Sequence, residues 1–307
     1  MISILMATYN GEKYLEEQID SLLSQTFCDF TLWVSDDAST DKTWDILVTY
    51  AQRYPDKIRI FQQEKNTGNT RHNFLDLMVR VKDDYVMLCD QDDVWLPDKV
   101  EKTLAKIKAM EKQYPGMPVL VRTDAKIVDQ NLQIIHPSYK HAMHSNFNRT
   151  DFCQVLIQNT FAGCTAMYNR ALAELIDKKP EYCVMHDWWL ELIAAAFGKI
   201  GHIDEPTILY RQHDKNAIGV KDIRKLSYKI NRLIHSDEIK KAIQNTYDQT
   251  KNFLQIYEDR MTDTQKDIAR RYCEIPAKGK LSRWQTICSL GAYKNGLSRN
   301  IAYFLFV

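Results

Sequence analysis

Tyr85-Val86-Met87-Leu88-Cys89-Asp90-Gln91-Asp92-Asp93-Val94-Trp95 runs an apolar stretch into three carboxylates within four residues. An apolar run of this length, bounded by polar residues, reads as a buried strand, which puts the charges at its C-terminal end. Carboxylates crowded in this way repel one another unless a hard cation neutralises them, and oxygen-only ligands suit Mg²⁺ or Mn²⁺. The plainer alternative is a solvated loop that caps the next helix. Against it stands a second acidic strand end, Ser35-Asp36-Asp37, in the same half of the chain.

Outward from this stretch the first 125 residues alternate. Residues 2–7, 31–35, 57–62, 85–89 and 119–123 read as strands, and residues 12–24, 41–53, 69–81 and 98–112 as helices. Such alternation predicts an α/β fold with a mostly parallel sheet covered by helices on both faces. Ligands of such sheets bind beyond the carboxyl ends of the strands, where Thr8-Tyr9-Asn10, Asp36-Asp37 and the 90–93 cluster all fall. Residues 126–215 are less regular, with short strands at 126–128, 165–168 and 208–213 and helices at 151–158 and 187–197. From about residue 220 onward no strand pattern is visible, and residues 221–271 carry apolar side chains at helical steps until Pro276-Ala277-Lys278-Gly279-Lys280 interrupts them.

The chain has 307 residues, 45% of them hydrophobic, enough for one large α/β core and an appendage. Its net charge of +1 argues against general nucleic-acid binding. Residues 1–220 hold 24 basic and 31 acidic side chains, and residues 221–307 hold 17 and 9, so a basic module follows an acidic one. Seven cysteines without C-x-x-C spacing fit a reducing cytosol. The absence of a basic leader and of any apolar run near ~20 residues predicts a chain neither exported by that route nor integral to a membrane. No zinc spacing, Ser-His-Asp order or Gly-rich phosphate loop is present.

Ala7-Thr8-Tyr9-Asn10-Gly11, Ser35-Asp36-Asp37-Ala38-Ser39-Thr40-Asp41, Asn66-Thr67-Gly68 and Asp90-Gln91-Asp92-Asp93, in this order and spacing, resemble the family 2 glycosyltransferases of GT-A fold. Asp92-Asp93-Val94-Trp95, His186-Asp187-Trp188-Trp189 and Tyr210-Arg211-Gln212-His213 look most like the bacterial rhamnosyltransferase branch. The resemblance implies a GT-A domain over residues 1–219, with a nucleotide-sugar half (1–125) and an acceptor half (126–219), and a basic helical region over 220–307.

The resemblance also implies roles. Thr8, Tyr9, Asn10, Asp37, Gly68, Arg71, Asp90 and Asp92 would contact the nucleotide. Asp37 would accept the pyrimidine N3–H, a sensible pairing because a carboxylate cannot donate and the imide N–H lies between two carbonyls. A divalent metal, Mn²⁺ or Mg²⁺, would sit on Asp92 and Asp93, with Asp90 nearer the ribose. His213 would add a ligand or touch the diphosphate, or else merely end a strand. Asp187 would be the general base toward the acceptor, beside its ordinary role as a first-turn helix residue. Trp95, Gly163, Cys164, His186, Trp188, Trp189 and Arg211 would line the acceptor and sugar side, one of the two tryptophans joining the core.

With no nucleophile in view, the implied chemistry is a direct, inverting displacement from a nucleotide-sugar donor, dTDP-rhamnose by preference, to a glycan or lipid-linked glycan of a bacterial surface polysaccharide. UDP-GlcNAc, UDP-Gal or UDP-Glc is the alternative donor. A non-catalytic sugar-nucleotide binder or a receiver-like Mg²⁺ module is the rival class, the latter disfavoured by the more than fifty residues between the acidic clusters. In the tail, Leu281, Trp284, Cys288, Leu290, Tyr293, Leu297, Ile301 and Phe304 recur at helical steps among Arg283, Lys294 and Arg299. That pattern fits peripheral contact with the inner face of the cell membrane, or else packing on the chain's own domain or in a homodimer.

Overall fold

Strand β1 (Ile2–Thr8) is buried along its whole length because it has a strand on each side and helices above and below. Its neighbours are β2 (Phe30–Asp36) and β4 (Tyr85–Cys89), both parallel to it, and β2 in turn pairs in parallel with β3 (Ile58–Gln62). With β5 (Val94–Trp95), β6 (Val119–Val128), β7 (Ile134–His136), β8 (Ala166–Asn169) and β9 (Lys199–Arg211) they form one nine-stranded sheet. Its order is β3-β2-β1-β4-β8-β6-β9-β5, with β7 hydrogen-bonded to β6. β8 runs antiparallel to β4 and to β6, so the sheet is mixed beyond its parallel first half. The computed structural model describes residues 1–213 and 236–307; the expected helical start at 221–235 lies outside the described residues.

Alternation along β1 explains the two layers of cover. Ile4 and Met6 share one core with Leu15, Ile19 and Leu22 of α1 (Leu15–Leu23), Leu47 of α2 (Thr43–Arg53), and Val100, Leu104 and Ile107 of α4 (Lys99–Gln113). Leu5 and Leu88 point the other way, and α3 (Thr70–Arg80) buries Phe74, Leu75, Leu77 and Met78 while packing on β1 and β2. At ~25 cal/mol per Å² of apolar surface, each fully buried Leu or Ile of these layers stabilises the fold by about 2 kcal/mol before its entropy cost.

By its contacts the chain divides into two compact units, and neither is continuous in sequence. The first comprises residues 1–139, 161–179 and 198–219, and holds the sheet. The second comprises residues 140–160, 180–197 and 220–307. It includes the helices Phe152–Ile157, His186–Phe197, Ser236–Tyr257, Asp263–Cys273, Lys280–Leu290 and Leu297–Phe306.

Several elements depart from the sequence reading. Residues 119–123 and 126–128 form one strand, β6, whose pairing with β9 slips at Thr123, Asp124 and Lys126. β9 begins at Lys199 rather than near 208, since its polar first half is recruited by register with β6, not by an apolar pattern. β5 and β7 are too short to show a period. The segment 281–307 is two helices, broken between Gly291 and Gly296, both with positive φ.

Candidate active site

The loops after β1 and β2 are built on Asp36. Fully buried, this carboxylate accepts hydrogen bonds from Thr8 Oγ1 (2.9 Å), the Ser39 amide (3.0 Å), Ser39 Oγ (2.6 Å) and Gln62 Nε2 (3.3 Å). Those four donors replace the water lost on burial. The Asn10 amide donates to Ser39 Oγ at 2.9 Å, and the Thr40 amide donates to Asn10 Oδ1 at 2.8 Å, so the two loops close on each other. Asn10 itself sits at φ 48° and Ala38 at φ 56°, left-handed conformations that such closure imposes.

Asp37 ties in the third segment. Its Oδ1 accepts the Thr67 amide and its Oδ2 the Thr67 hydroxyl, both at 2.9 Å. Each carboxylate oxygen keeps a second lone pair, so this tether leaves Asp37 able to accept from a base. Gly68 lies at φ 72°, which a side chain would strain, and the Asn69 side chain then caps α3 by accepting the Arg71 amide at 3.0 Å. Arg71 is thereby fixed in the first turn of α3.

A residue that sequence reasoning left without a role joins these loops to the acidic turn. The Tyr9 amide donates to Gln91 Oε1 at 2.9 Å, and Gln91 Nε2 donates to the Tyr9 carbonyl at 3.0 Å. The Gln91 carboxamide thus acts toward Tyr9 as a neighbouring strand would. Gly11 makes the fit possible, because a Cβ there would stand 2.4 Å from Gln91 Oε1. Tyr9 itself remains 44% exposed. The only signal in the sequence was the position of Gln91 between two aspartates.

In the turn itself, Asp90, Asp93 and Cys164 bring ligand atoms within 4.8 Å of one another. Asp93 is buried, and desolvation, reinforced by the charges of Asp92 and Asp90, pushes its carboxyl well above the usual range. Its Oδ1 accepts the Arg211 amide at 3.0 Å, while its Oδ2 receives no N–H or O–H donor. A buried carboxylate in that state suits a divalent cation. The thiol of Cys164, in the buried turn Gly163–Thr165, is pushed up by burial and by the carboxylates, so at neutral pH it stays protonated. The aspartates offer oxygen, the hard donor that Mg²⁺ and Mn²⁺ prefer. Asp92 is paired with His213, Oδ2 to Nε2 at 2.8 Å, and the His213 ring stacks on Tyr14 with centroids 4.9 Å apart.

Arg211 is an anchor of this turn. Its guanidinium is buried, donates to the Asp92 carbonyl (2.7 Å) and the Gln130 carbonyl (2.8 Å), pairs with Glu17, and lies 4.5 Å from the Tyr14 ring centroid. Trp95 is buried as well, with the Lys99 ammonium 4.6 Å above its ring. Desolvation pushes Lys99 down to about 8 against the pull of Asp93.

The remaining expected residues belong to the second unit. Asp187, in the first turn of His186–Phe197, is buried; its Oδ1 takes the Trp188 amide (2.6 Å) and its Oδ2 the Asn159 side-chain amide (3.1 Å). Trp189 is core, packed edge-on against Phe253. Trp188 is half-buried and donates from Nε1 to the Val155 carbonyl at 2.6 Å. His186 is buried, and desolvation pushes its ring down to about 3.

The strand ends of the sheet's parallel half carry linked acidic loops, beside a buried carboxylate cluster, an arrangement that fits a glycosyltransferase with a nucleotide-sugar donor. The model of the family described as Glycosyl transferase family 2 matches residues 3–176, and the chain belongs to that family. It is 31% identical over 251 residues to the dTDP-rhamnosyl transferase RfbG of Shigella flexneri, covering 78% of this chain and 82% of that one. Solved structures share the fold. S. aureus TarS 1–349 in complex with UDP matches with TM-score 0.57 at 17% identity over 89% of this chain and 69% of that chain. The mannosyltransferase PcManGT from Pyrobaculum calidifontis, in complex with GDP-Man and Mn²⁺, matches with TM-score 0.51 at 16% identity over 99% and 83%.

Proposed function

We propose that this enzyme is an inverting, divalent-metal-dependent rhamnosyltransferase that moves L-rhamnose from dTDP-rhamnose to a hydroxyl of a growing, lipid-linked bacterial surface polysaccharide. The observation that carries the donor is the 31% identity with RfbG, which spans most of both chains. The Mn²⁺ in the PcManGT complex and the buried, electrically frustrated Asp93 support the metal.

In this reading Tyr9 and Asp37 receive the base, Asp37 accepting the thymine N3–H through the lone pairs that Thr67 leaves open. Asp90 and Asp93, grouped in the acidic turn, would hold the cation, with Asp92 and its partner His213 beside them, and the cation would supply positive charge to the departing diphosphate. Asp187, oriented by Asn159, takes the proton of the acceptor hydroxyl. The acceptor oxygen then bonds to the anomeric carbon as the bond to the diphosphate breaks on the opposite face, which inverts the configuration. Trp188 contributes a flat aromatic edge for a sugar ring.

The decisive experiment is a panel of dTDP-rhamnose, UDP-GlcNAc, UDP-Gal and UDP-Glc with Mn²⁺, read as donor hydrolysis and as a rise in melting temperature. Selective turnover of dTDP-rhamnose is the expected result. Preference for a UDP-sugar would overturn the rhamnosyl assignment and leave the family intact.

A further inference from the structure

The Asn300 carboxamide closes on the main chain of Lys294: its Oδ1 accepts the Lys294 amide and its Nδ2 donates to the Lys294 carbonyl, both at 2.7 Å. The same Nδ2 reaches the Gly296 carbonyl at 3.0 Å. With Gly291 at φ 66° and Gly296 at φ 92°, these bonds give the connection between helices Lys280–Leu290 and Leu297–Phe306 one definite shape. The connection is a built turn.

That turn is seated on residues 143–158 of the same compact unit. The Leu290 carbonyl accepts the Cys153 thiol at 3.2 Å, and the Tyr293 carbonyl accepts the Arg149 guanidinium. Arg299 donates to the Met143 carbonyl at 2.7 Å, and the Asn295 side-chain amide donates to the His144 carbonyl. At the far end, the Asn295 main-chain amide donates to Gln158 Oε1 at 2.8 Å.

Gln158 is where this seat meets the chemistry. It follows helix Phe152–Ile157 in an extended conformation, φ −158° and ψ 125°, and residues 158–160 lie in no helix or strand. No ladder of main-chain bonds fixes such a segment, so its side chains must. An extended backbone sends successive side chains to opposite sides. Gln158 accepts from Asn295, and its neighbour Asn159 donates to Asp187 Oδ2 at 3.1 Å. Thr160 donates to Glu191 Oε1, also at 3.1 Å, one helical turn beyond Asp187. Because Asn159 aims Asp187, that aim is only as firm as the hold on Gln158.

We propose that Gln158 is a positioning residue for the transfer: anchored by the Asn295 amide of the C-terminal turn, it fixes the segment from which Asn159 orients Asp187. This rests on the reading of Asp187 as the general base. A displacement of about 1 Å at a reacting group costs on the order of a hundredfold in rate, so a loosened segment is felt in kcat. Tyr9 and Asp37, which receive the base of the donor, belong to the other unit, so donor affinity is spared.

The test compares three full-length variants: Gln158→Ala, which removes the acceptor, Gln158→Glu, which keeps it, and Asn300→Ala, which loosens the turn from its far side. Folding is checked by thermal melt. With the sugar nucleotide selected by the donor panel, kcat for hydrolysis, in which water replaces the acceptor hydroxyl, and donor affinity by calorimetry are measured beside Asp187→Asn. Gln158→Ala should lower kcat about tenfold with donor affinity within about twofold. Gln158→Glu should restore kcat, Asn300→Ala should lower it, and the Gln158→Ala/Asn300→Ala double variant should be no slower than the slower single one. Asn300→Ala carries the test where Gln158→Ala does not fold. If Asp187→Asn loses kcat while folded Gln158→Ala or Asn300→Ala keeps it, the positioning role is wrong and the base stands. Full kcat in Asp187→Asn removes the base, and the positioning role with it. A Gln158→Glu variant as slow as Gln158→Ala, or a loss of donor affinity as large as the loss of kcat, also overturns the proposal, because the defect would then lie in the fold.

Discussion

The Gln91 side chain grips the main chain of Tyr9 from both sides, accepting from its amide at 2.9 Å and donating to its carbonyl at 3.0 Å. One residue of the acidic turn thus sets the position of the loop that presents Tyr9, and Gly11 is the space into which it fits. Gly11→Ala should expel the carboxamide and loosen Tyr9 without touching a charge. We expect the donor KM to rise roughly tenfold, about 1.4 kcal/mol, with kcat changed less. Gln91→Ala should show the same split in steady-state kinetics. An unchanged KM in both variants would mean that the clamp does not serve donor binding.

Asp93→Asn keeps the shape of the buried side chain and removes its charge. Transfer should fall by a hundredfold or more, about 3 kcal/mol of transition-state stabilisation, and the unaltered enzyme should be silenced by EDTA and restored by Mn²⁺. Full activity in EDTA would refute metal dependence.

Asp187→Asn should abolish most of kcat while leaving donor affinity, measured by calorimetry, within a few-fold. Asn159→Ala, which removes the donor to Asp187 Oδ2, should lower kcat less severely and leave donor affinity intact. A large loss of donor binding in Asp187→Asn would assign the residue to the fold instead.

His186 makes stability depend on pH. Its ring has an ordinary value of 6.5 and is pushed down to about 3 by burial, so between these values the unfolded chain binds a proton that the folded one refuses. Stability is complete above 6.5 and declines as pH falls toward 3, by up to about 1.4 kcal/mol per pH unit within that window. Denaturant titrations at pH 7, 6, 5 and 4 check this, and His186→Gln should flatten the decline. An equally steep decline in the variant would place the acid sensitivity elsewhere.

The parallel half of the sheet was legible because its signals are local. Residues 85–89 read as a strand and form β4 with those bounds, since five apolar or aromatic residues meet polar ones at either end. β9 was legible only at its end, because Lys199-Ile200-Gly201-His202-Ile203-Asp204-Glu205-Pro206 becomes a strand through pairing with β6 rather than through its own composition. The same division runs through the site. Asp36, Asp37, Asp90, Asp92 and Asp93 announce themselves as charges at strand ends. What Gln91 and Arg211 do depends on partners 81 or more positions away, and nothing in a linear pattern reports such a pairing.

Arg211 also sets a clock. The acidic turn is complete in the chain at residue 93, yet its amide and guanidinium anchors arrive with residue 211, 118 positions later. At ~5–20 residues per second, a ribosome needs about 6 to 24 seconds to cover that distance. Strands β1 to β4 have all their mutual partners by residue 89 and can pair long before then. During this interval Asp92 and Asp93 await His213 and the Arg211 amide, and the turn takes its final form only when the last strand of the sheet slides into place.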